Sequence, residues 1–166
     1  MQSELPMIDE RFRDFAAYVE TGINAVRNMG MKFLVCRENH VRLMMPLDGN
    51  INHIGTMYAG CIFTLGEVAG GAIFGACFDL TRYFPIVKEM TIRYRRPVTS
   101  DITLDASLSP ERVREIEAVV VAQGKCDLIM DLELVGTGGE VVALVHGTWQ
   151  VRAVPTGFVN PLADKA

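Results

Sequence analysis

The stretch Asn52-His53-Ile54-Gly55-Thr56-Met57-Tyr58-Ala59-Gly60, continuing through Cys61 to Asp79, decides how this chain folds. Its first part is a short polar loop that carries a glycine. Its second part is apolar and rich in small side chains, with Gly60, Gly66, Gly70, Gly71 and Gly75 in it and a single internal charge, Glu67. The pattern predicts a helix over 58–79. Thr56 is its expected N-cap, because a threonine hydroxyl accepts from a free first-turn N–H. Each glycine weakens a helix by about 1 kcal/mol relative to alanine. Several in one helix therefore imply that something packs close against its backbone. A carboxylate in such surroundings stays ionised only if it is paired, hydrated or used.

Alternating strands flank this helix on both sides. Upstream, Phe12, Phe15, Val19, Ile23 and Val26 recur at helical spacing. They predict an amphipathic helix over 9–29, with Asp9 as N-cap and Gly30 as C-cap. Strands are expected over 31–38 and 40–47, where Val41, Leu43 and Met45 alternate with His40, Arg42 and Met44. Downstream, strands are expected over 85–96 and 101–108. Ser109-Pro110-Glu111 then opens a helix, with serine as N-cap, proline in the first turn and an acid near the positive dipole end. Val113, Ile116 and Val120 form its buried stripe, and Gly124 closes it. Two long strands, 125–135 and 141–152, join at Gly136-Thr137-Gly138-Gly139. Residues 153–166 form a C-terminal tail, expected to be loosely held from Pro155.

The strands each have one apolar face, which suits an antiparallel sheet covered on one side. The 58–79 helix is apolar nearly all round and belongs beneath that sheet. The expected class is α+β, a curved antiparallel sheet wrapped around a long central helix. All of it fits one domain over 1–166, since 166 residues suffice for a real core.

Composition removes several function classes. The net charge of −4 leaves no basic stripe for nucleic acid. The four cysteines form no CxxC pair and no secretory signal opens the chain, so reduced thiols and a cytoplasmic location are expected. Met57 to Phe78 is long enough to span a bilayer and has GxxxG spacing at Gly66/Gly70 and Gly71/Gly75. Glu67 would then sit near mid-membrane at a cost of several kcal/mol, and no clear basic clusters flank the segment. A buried core helix accounts for the same residues, and no membrane partner is expected. The three histidines do not cluster, so neither a metal nor another cofactor is implied.

The residues Asn52-x-x-Gly55-Thr56-x-Tyr58-Ala59-Gly60 and Phe63-Thr64-Leu65-Gly66-Glu67 resemble the loop-and-helix motif of hotdog-fold acyl-CoA thioesterases of the PaaI-like branch. Tyr94-Arg95-Arg96-Pro97, Gly124-Lys125 and His146-Gly147-Thr148 add weaker matches, and the likeness runs from about 30 to 152. It implies a hotdog fold, hydrolysis of a CoA thioester, and a thioesterase-like core preceded by the 9–29 helix. Tyr58 and Ala59 stand where that branch often has histidine and glycine, and Glu67 where it often has aspartate. Those departures keep open a non-catalytic acyl-CoA or lipid-binding module on the same fold. A hydratase is a weaker option, for want of an Asp/His pair in the motif.

Thioester hydrolysis needs an activated water or nucleophile, and donors for the developing oxyanion. Glu67 is the candidate base or nucleophile; its alternative role is a buried acid tied up in hydrogen bonds at a dimer seam. The first-turn N–H groups of Tyr58, Ala59 and Gly60 are the candidate donors. Asn52 orients the loop or the water, or is simply a turn residue. Arg95 and Arg96 are candidates for the phosphates of CoA, against a plain solvated role. Tyr58, Met57 and Phe63 are candidates for an acyl or aromatic pocket, against ordinary packing. Ala59 and Glu67 lie about 12 Å apart along one helix, too far to meet on one carbonyl. A homodimer with antiparallel helices, each start facing the other's Glu67, removes that difficulty; pairing of two dimers is a further option.

Overall fold

The computed structural model describes residues 6–158, 161 and 163. In chain order the elements are β1 (Met7–Ile8), a 3-10 turn (Glu10–Phe12), α1 (Arg13–Gly22), α2 (Asn24–Met29), β2 (Lys32–Arg37), β3 (His40–Met45), α3 (Ala59–Cys77), β4 (Tyr83–Tyr94), β5 (Ile102–Ser107), α4 (Pro110–Gln123), β6 (Lys125–Gly136) and β7 (Val141–Ala153). The strands form one sheet in the order β1-β2-β3-β5-β6-β7-β4. Every pair is antiparallel except β1 with β2, which is parallel. The sheet wraps around α3, and this is the hotdog architecture.

The small residues of α3 explain how the sheet closes on it. The Val145 side chain on β7 sits 2.8 Å from where a Cβ of Gly66 would stand. The Trp149 indole fills the corresponding space at Gly70, and the Phe15 ring of α1 fills it at Gly75. Gly147, on the same strand as Trp149, makes room for the other edge of the indole. The glycines thus let two layers approach to backbone contact, at the helix-propensity cost noted above. Leu65, Ile73 and Phe74 of α3 and Leu43, Met45, Ile102 and Leu104 of the sheet are almost wholly buried. One helix, α3, is long and apolar enough to cross a membrane, and most of that stretch is buried inside the fold.

Four sequence expectations need correction. The 9–29 segment is not one helix. It breaks at Ile23, whose backbone is extended (φ −90°, ψ 105°), directly after Gly22. Gly22 is in close contact with the Tyr18 ring, and a glycine inside a helical pattern is the signal that marks such a break. Asp9 precedes the 3-10 turn without a side-chain cap bond, although Gly30 does close α2 in the left-handed region (φ 72°). Thr56 does not cap α3: the N-cap is Tyr58, which offers no side-chain bond. The tail from Pro155 is not loose where it is described, since Phe158 N–H donates to Pro155 O at 3.1 Å and the Phe158 ring packs on Phe84 with centroids 5.5 Å apart; residues 159, 160, 162 and 164–166 lie outside the described set.

Elsewhere the local chemistry acts as read. Ser109 Oγ accepts from Arg112 N–H at 3.1 Å, Pro110 follows it, and Gly124 ends α4 in the left-handed region. The β-branched run Val119–Val121 stays helical because Val113, Ile116 and Val120 are buried on one face. All four cysteines are free thiols, and burial pushes Cys36 and Cys77 up to about 12.

Candidate active site

Residues 50–58 form a rigid loop that delivers the chain to the start of α3. Asn50 is its anchor. Its side-chain amide is buried and donates to Met29 O (2.7 Å) and Pro46 O (2.8 Å), while its carbonyl oxygen accepts from the Cys61 thiol (3.2 Å). One side chain thereby ties the end of α2, the end of β3 and the first turn of α3 together. No local signal in the sequence points to this role, because an asparagine between glycine and isoleucine reads as turn chemistry.

Asn52 organises the rest of the loop. Its side-chain oxygen accepts from Ile54 N–H (3.0 Å) and Thr56 N–H (3.1 Å), and its amide donates to the Thr56 hydroxyl (2.9 Å). These bonds describe a loop-orienting residue, and they occupy the Thr56 hydroxyl that was expected to cap the helix. Gly55 sits at φ 82°, where other residues are strained. Met57 N–H donates to Val98 O at 2.8 Å, which fixes the loop to the segment after β4.

The donors at the helix start are fewer than the sequence suggested. Tyr58 N–H is used by Asn50 O at 2.7 Å, and Cys61 N–H by Tyr58 O at 2.9 Å. Among the described residues, the amides of Ala59 and Gly60 have no partner. Ala59 is exposed and Gly60 half-buried. The Tyr58 ring lies against Gly60, with Cδ1 3.0 Å and Cζ 3.1 Å from where a Cβ would stand. From the other side, the Tyr94 hydroxyl donates to Ala59 O at 3.2 Å.

Glu67 is half-buried on α3 and makes no hydrogen bond or ion pair among the described residues. Burial raises its carboxyl above the ordinary value. It lies on the one stripe of α3 that the sheet leaves uncovered. Gly60, Phe63, Thr64, Glu67 and Gly71 are the less buried positions along the body of the helix, and they recur at helical spacing. Phe63 is 40% exposed, and a Cβ on Gly71 would meet nothing within 4 Å.

A cavity of about 350 Å³ opens beside the helix start. Asn52, Ala59, Arg95 and Arg96 line it together with Tyr94 and Ile62. Tyr58, Gly60, Phe63 and Glu67 do not; they lie along the neighbouring helix stripe. Arg95 and Arg96 follow β4, with their backbone N–H groups donating to Val142 O (2.8 and 3.3 Å). Neither guanidinium has an ion-pair partner among the described residues. Tyr94 was expected as a strand residue within a weak motif match, with no role in the site, yet it stands 47% exposed at the cavity. A second cavity, about 450 Å³, lies on the outer face of the sheet around Arg93, Asp131, Glu133 and His146, away from Glu67.

Residues 14–151 match the family described as a domain of unknown function, DUF4442. No curated protein matches the chain. Among solved structures, a Pseudomonas aeruginosa protein described as of unknown function and a probable thioesterase is 41% identical, with a TM-score of 0.82; the match covers 92% of this chain and 100% of that one. A thioesterase candidate from Shewanella oneidensis is 21% identical (TM-score 0.71; 89% and 99% covered), and a Haemophilus influenzae thioesterase 15% identical (TM-score 0.65; 83% and 90% covered). These last two likenesses are of fold. With the match running through the loop, the central helix and every strand of the wrapped sheet but the two-residue β1, this chain belongs to the DUF4442 family.

Proposed function

We propose that this protein is a thioester hydrolase acting on an acyl-CoA, with Glu67 as the catalytic carboxylate. One observation carries the reading: an unpartnered, half-buried carboxylate shares α3 with two unpartnered amides, at Ala59 and Gly60, beside an open cavity. A carboxylate whose pKa is raised by burial is a stronger base than a solvated one and can take a proton from water, or attack a carbonyl itself. The two amides point out of the positive end of the helix dipole, where an oxyanion is stabilised. Arg95 and Arg96 supply unpaired positive charge at the rim for the phosphates of CoA, and Tyr58 and Phe63 supply apolar surface for the acyl group. Asn52 holds the loop. The 41% identical Pseudomonas aeruginosa protein, described as a probable thioesterase, supports the reaction class, and the motif resemblance to the PaaI-like branch supports the acyl-CoA substrate.

The site is completed by a second copy of the chain. Ala59 and Glu67 are about 12 Å apart along α3, so the donors and the base of one helix do not reach the same thioester carbon. The uncovered stripe of Phe63, Glu67 and Gly71 is the natural seam. Gly71 has space above it that nothing in its own chain fills. β4 is the outermost strand beside β7, so it offers a free edge to such a pairing. An antiparallel pair of α3 helices brings each Glu67 to the partner's Ala59 and Gly60.

Turnover against a panel of CoA thioesters tests the reading; hydrolysis of at least one, abolished in Glu67→Gln, is expected. Stoichiometric binding without hydrolysis would instead identify a non-catalytic acyl-CoA-binding module. The Tyr58 ring folded against Gly60 is the feature that favours that second reading.

A further inference from the structure

We propose that Tyr94 is a positioning residue for the oxyanion donors, acting through the peptide that joins Ala59 to Gly60. The inference rests on the thioesterase reading above. Ala59 O and Gly60 N–H belong to one planar peptide unit. The Tyr94 hydroxyl donates to that carbonyl at 3.2 Å, while the N–H, which points the opposite way within the same plane, has no partner among the described residues. A hydrogen bond accepted by an amide carbonyl polarises the whole amide, and chained bonds strengthen one another by about 10–30% each. Tyr94 therefore makes Gly60 N–H a better donor at the moment an oxyanion forms against it. It also fixes the direction of that N–H.

The mounting suits such a role. Tyr94 is the last residue of β4, paired with Ala143 of β7, and the next backbone N–H, of Arg95, donates to Val142 O at 2.8 Å. The phenol is thus carried on a strand end locked into the sheet. It faces the same cavity as Ala59, Ile62 and Arg96. The Tyr58 ring packs against Gly60, so two aromatic side chains hold the unit. Burial, with the nearby Tyr58, raises the Tyr94 phenol, which keeps its proton and stays a donor. The bond is long for O–H···O, where 2.7–2.8 Å is typical. Its loss is therefore worth a modest factor, about two- to tenfold in rate.

Tyr94→Phe keeps the ring and removes only the hydroxyl. It is expected to lower kcat about two- to tenfold with KM unchanged. In the same variant the Gly60 amide proton resonance moves upfield, which needs no substrate to observe. Incorporating a fluorinated tyrosine at position 94, a stronger donor while protonated, moves both readouts the opposite way. A Gly60 resonance that does not move in either variant overturns the inference, as does a change confined to KM. Glu67→Gln, measured in parallel, separates the two claims. If no CoA thioester is hydrolysed the thioesterase reading fails, and the Gly60 resonance alone decides the role of Tyr94; if Glu67→Gln retains wild-type turnover, only the assignment of Glu67 falls. If it is inactive while Tyr94→Phe keeps full kcat and an unmoved resonance, only the positioning role falls.

Discussion

The Trp149 indole stands in the space that a Cβ on Gly70 would occupy. The contact joins β7, the strand next to the β4 edge, to α3, and Trp149 is only 2% exposed. Its ring N–H finds no hydrogen-bond partner among the described residues, so packing rather than polar pairing holds it. Gly70→Ala forces either the indole or the helix to move. Overpacking of this kind costs typically 1–3 kcal/mol. A clear fall in the urea or thermal midpoint is expected, with Val121→Ala at a 72% exposed position of α4 as the control that leaves it unchanged or slightly raised, because alanine is the better helix former. Equal midpoints for the two variants would mean that the sheet does not close on α3 as described.

Gly71 tests the assembly rather than the core. Among the described residues, nothing of its own chain lies within 4 Å of a Cβ there. Gly71→Leu should therefore leave the isolated fold intact, with unchanged far-ultraviolet circular dichroism. It should block the approach of a second α3. Sedimentation is expected to show a dimer for the wild type and a monomer for the variant, with activity lost in proportion. A variant that remains a fully active dimer would place the seam elsewhere.

Glu67→Gln separates charge from shape. Turnover is expected to fall about 10²- to 10⁴-fold. Stability should move the other way. Burial raises the folded-state pKa of Glu67 above its ordinary 4.5. A carboxyl raised in this way contributes stability that is fully present below its unfolded pKa and lost as pH rises through the folded value. The glutamine carries no such dependence. The variant is expected to be at least as stable as the wild type at neutral pH, with the advantage vanishing below the ordinary carboxylate range. The catalytic base must be ionised, so wild-type kcat rises with pH through a midpoint above that range. A kcat that is flat across it would remove Glu67 from the proton transfer.

The central helix was legible because its glycines say something that packing later explains: Gly66, Gly70 and Gly75 each seat a neighbouring side chain. The strand faces were legible for the same reason, as Val41, Leu43 and Met45 alternate inward. The break at Ile23 was not, because apolar periodicity continues straight through it and only Gly22 hints at the interruption. The two-residue β1 is too short to carry any period. In the site, Glu67 stood out as the lone charge in an apolar run. Asn50 and Tyr94 did not, since their roles depend on partners far away in sequence: Met29 for one, Ala59 for the other. The count of free donors also depends on a long-range bond, from Tyr58 N–H to Asn50 O, that no local pattern announces.

Arg95 and Arg96 offer a test of the carrier. Both are exposed and lack ion-pair partners among the described residues. Arg95→Ala and Arg96→Ala are expected to raise KM for a CoA ester several-fold with little change in kcat, and to flatten the dependence of KM on salt. The same acyl group on a short uncharged thiol should show neither effect. Loss of kcat on both substrates would assign the arginines to the fold instead.

Complementation between two inactive variants tests whether the site is shared. Glu67→Gln removes the base. Ala59→Pro removes one free donor, and the backbone accommodates it: Ala59 is the first residue of α3, where proline is well tolerated, and Tyr58 before it is extended (φ −61°, ψ 131°), as a residue preceding proline prefers. In a composite site, one helix start faces the partner's Glu67. Mixing the two variants with full subunit exchange makes about half the dimers hetero. In each of those, one site carries both lesions and the other carries neither. About a quarter of all sites should recover, from two preparations that are each inactive alone. Exchange is verified separately with differently tagged chains. If exchange is complete and the mixture stays inactive, base and donors act within one chain. Recovery near a quarter shows instead that each site borrows its carboxylate from the partner.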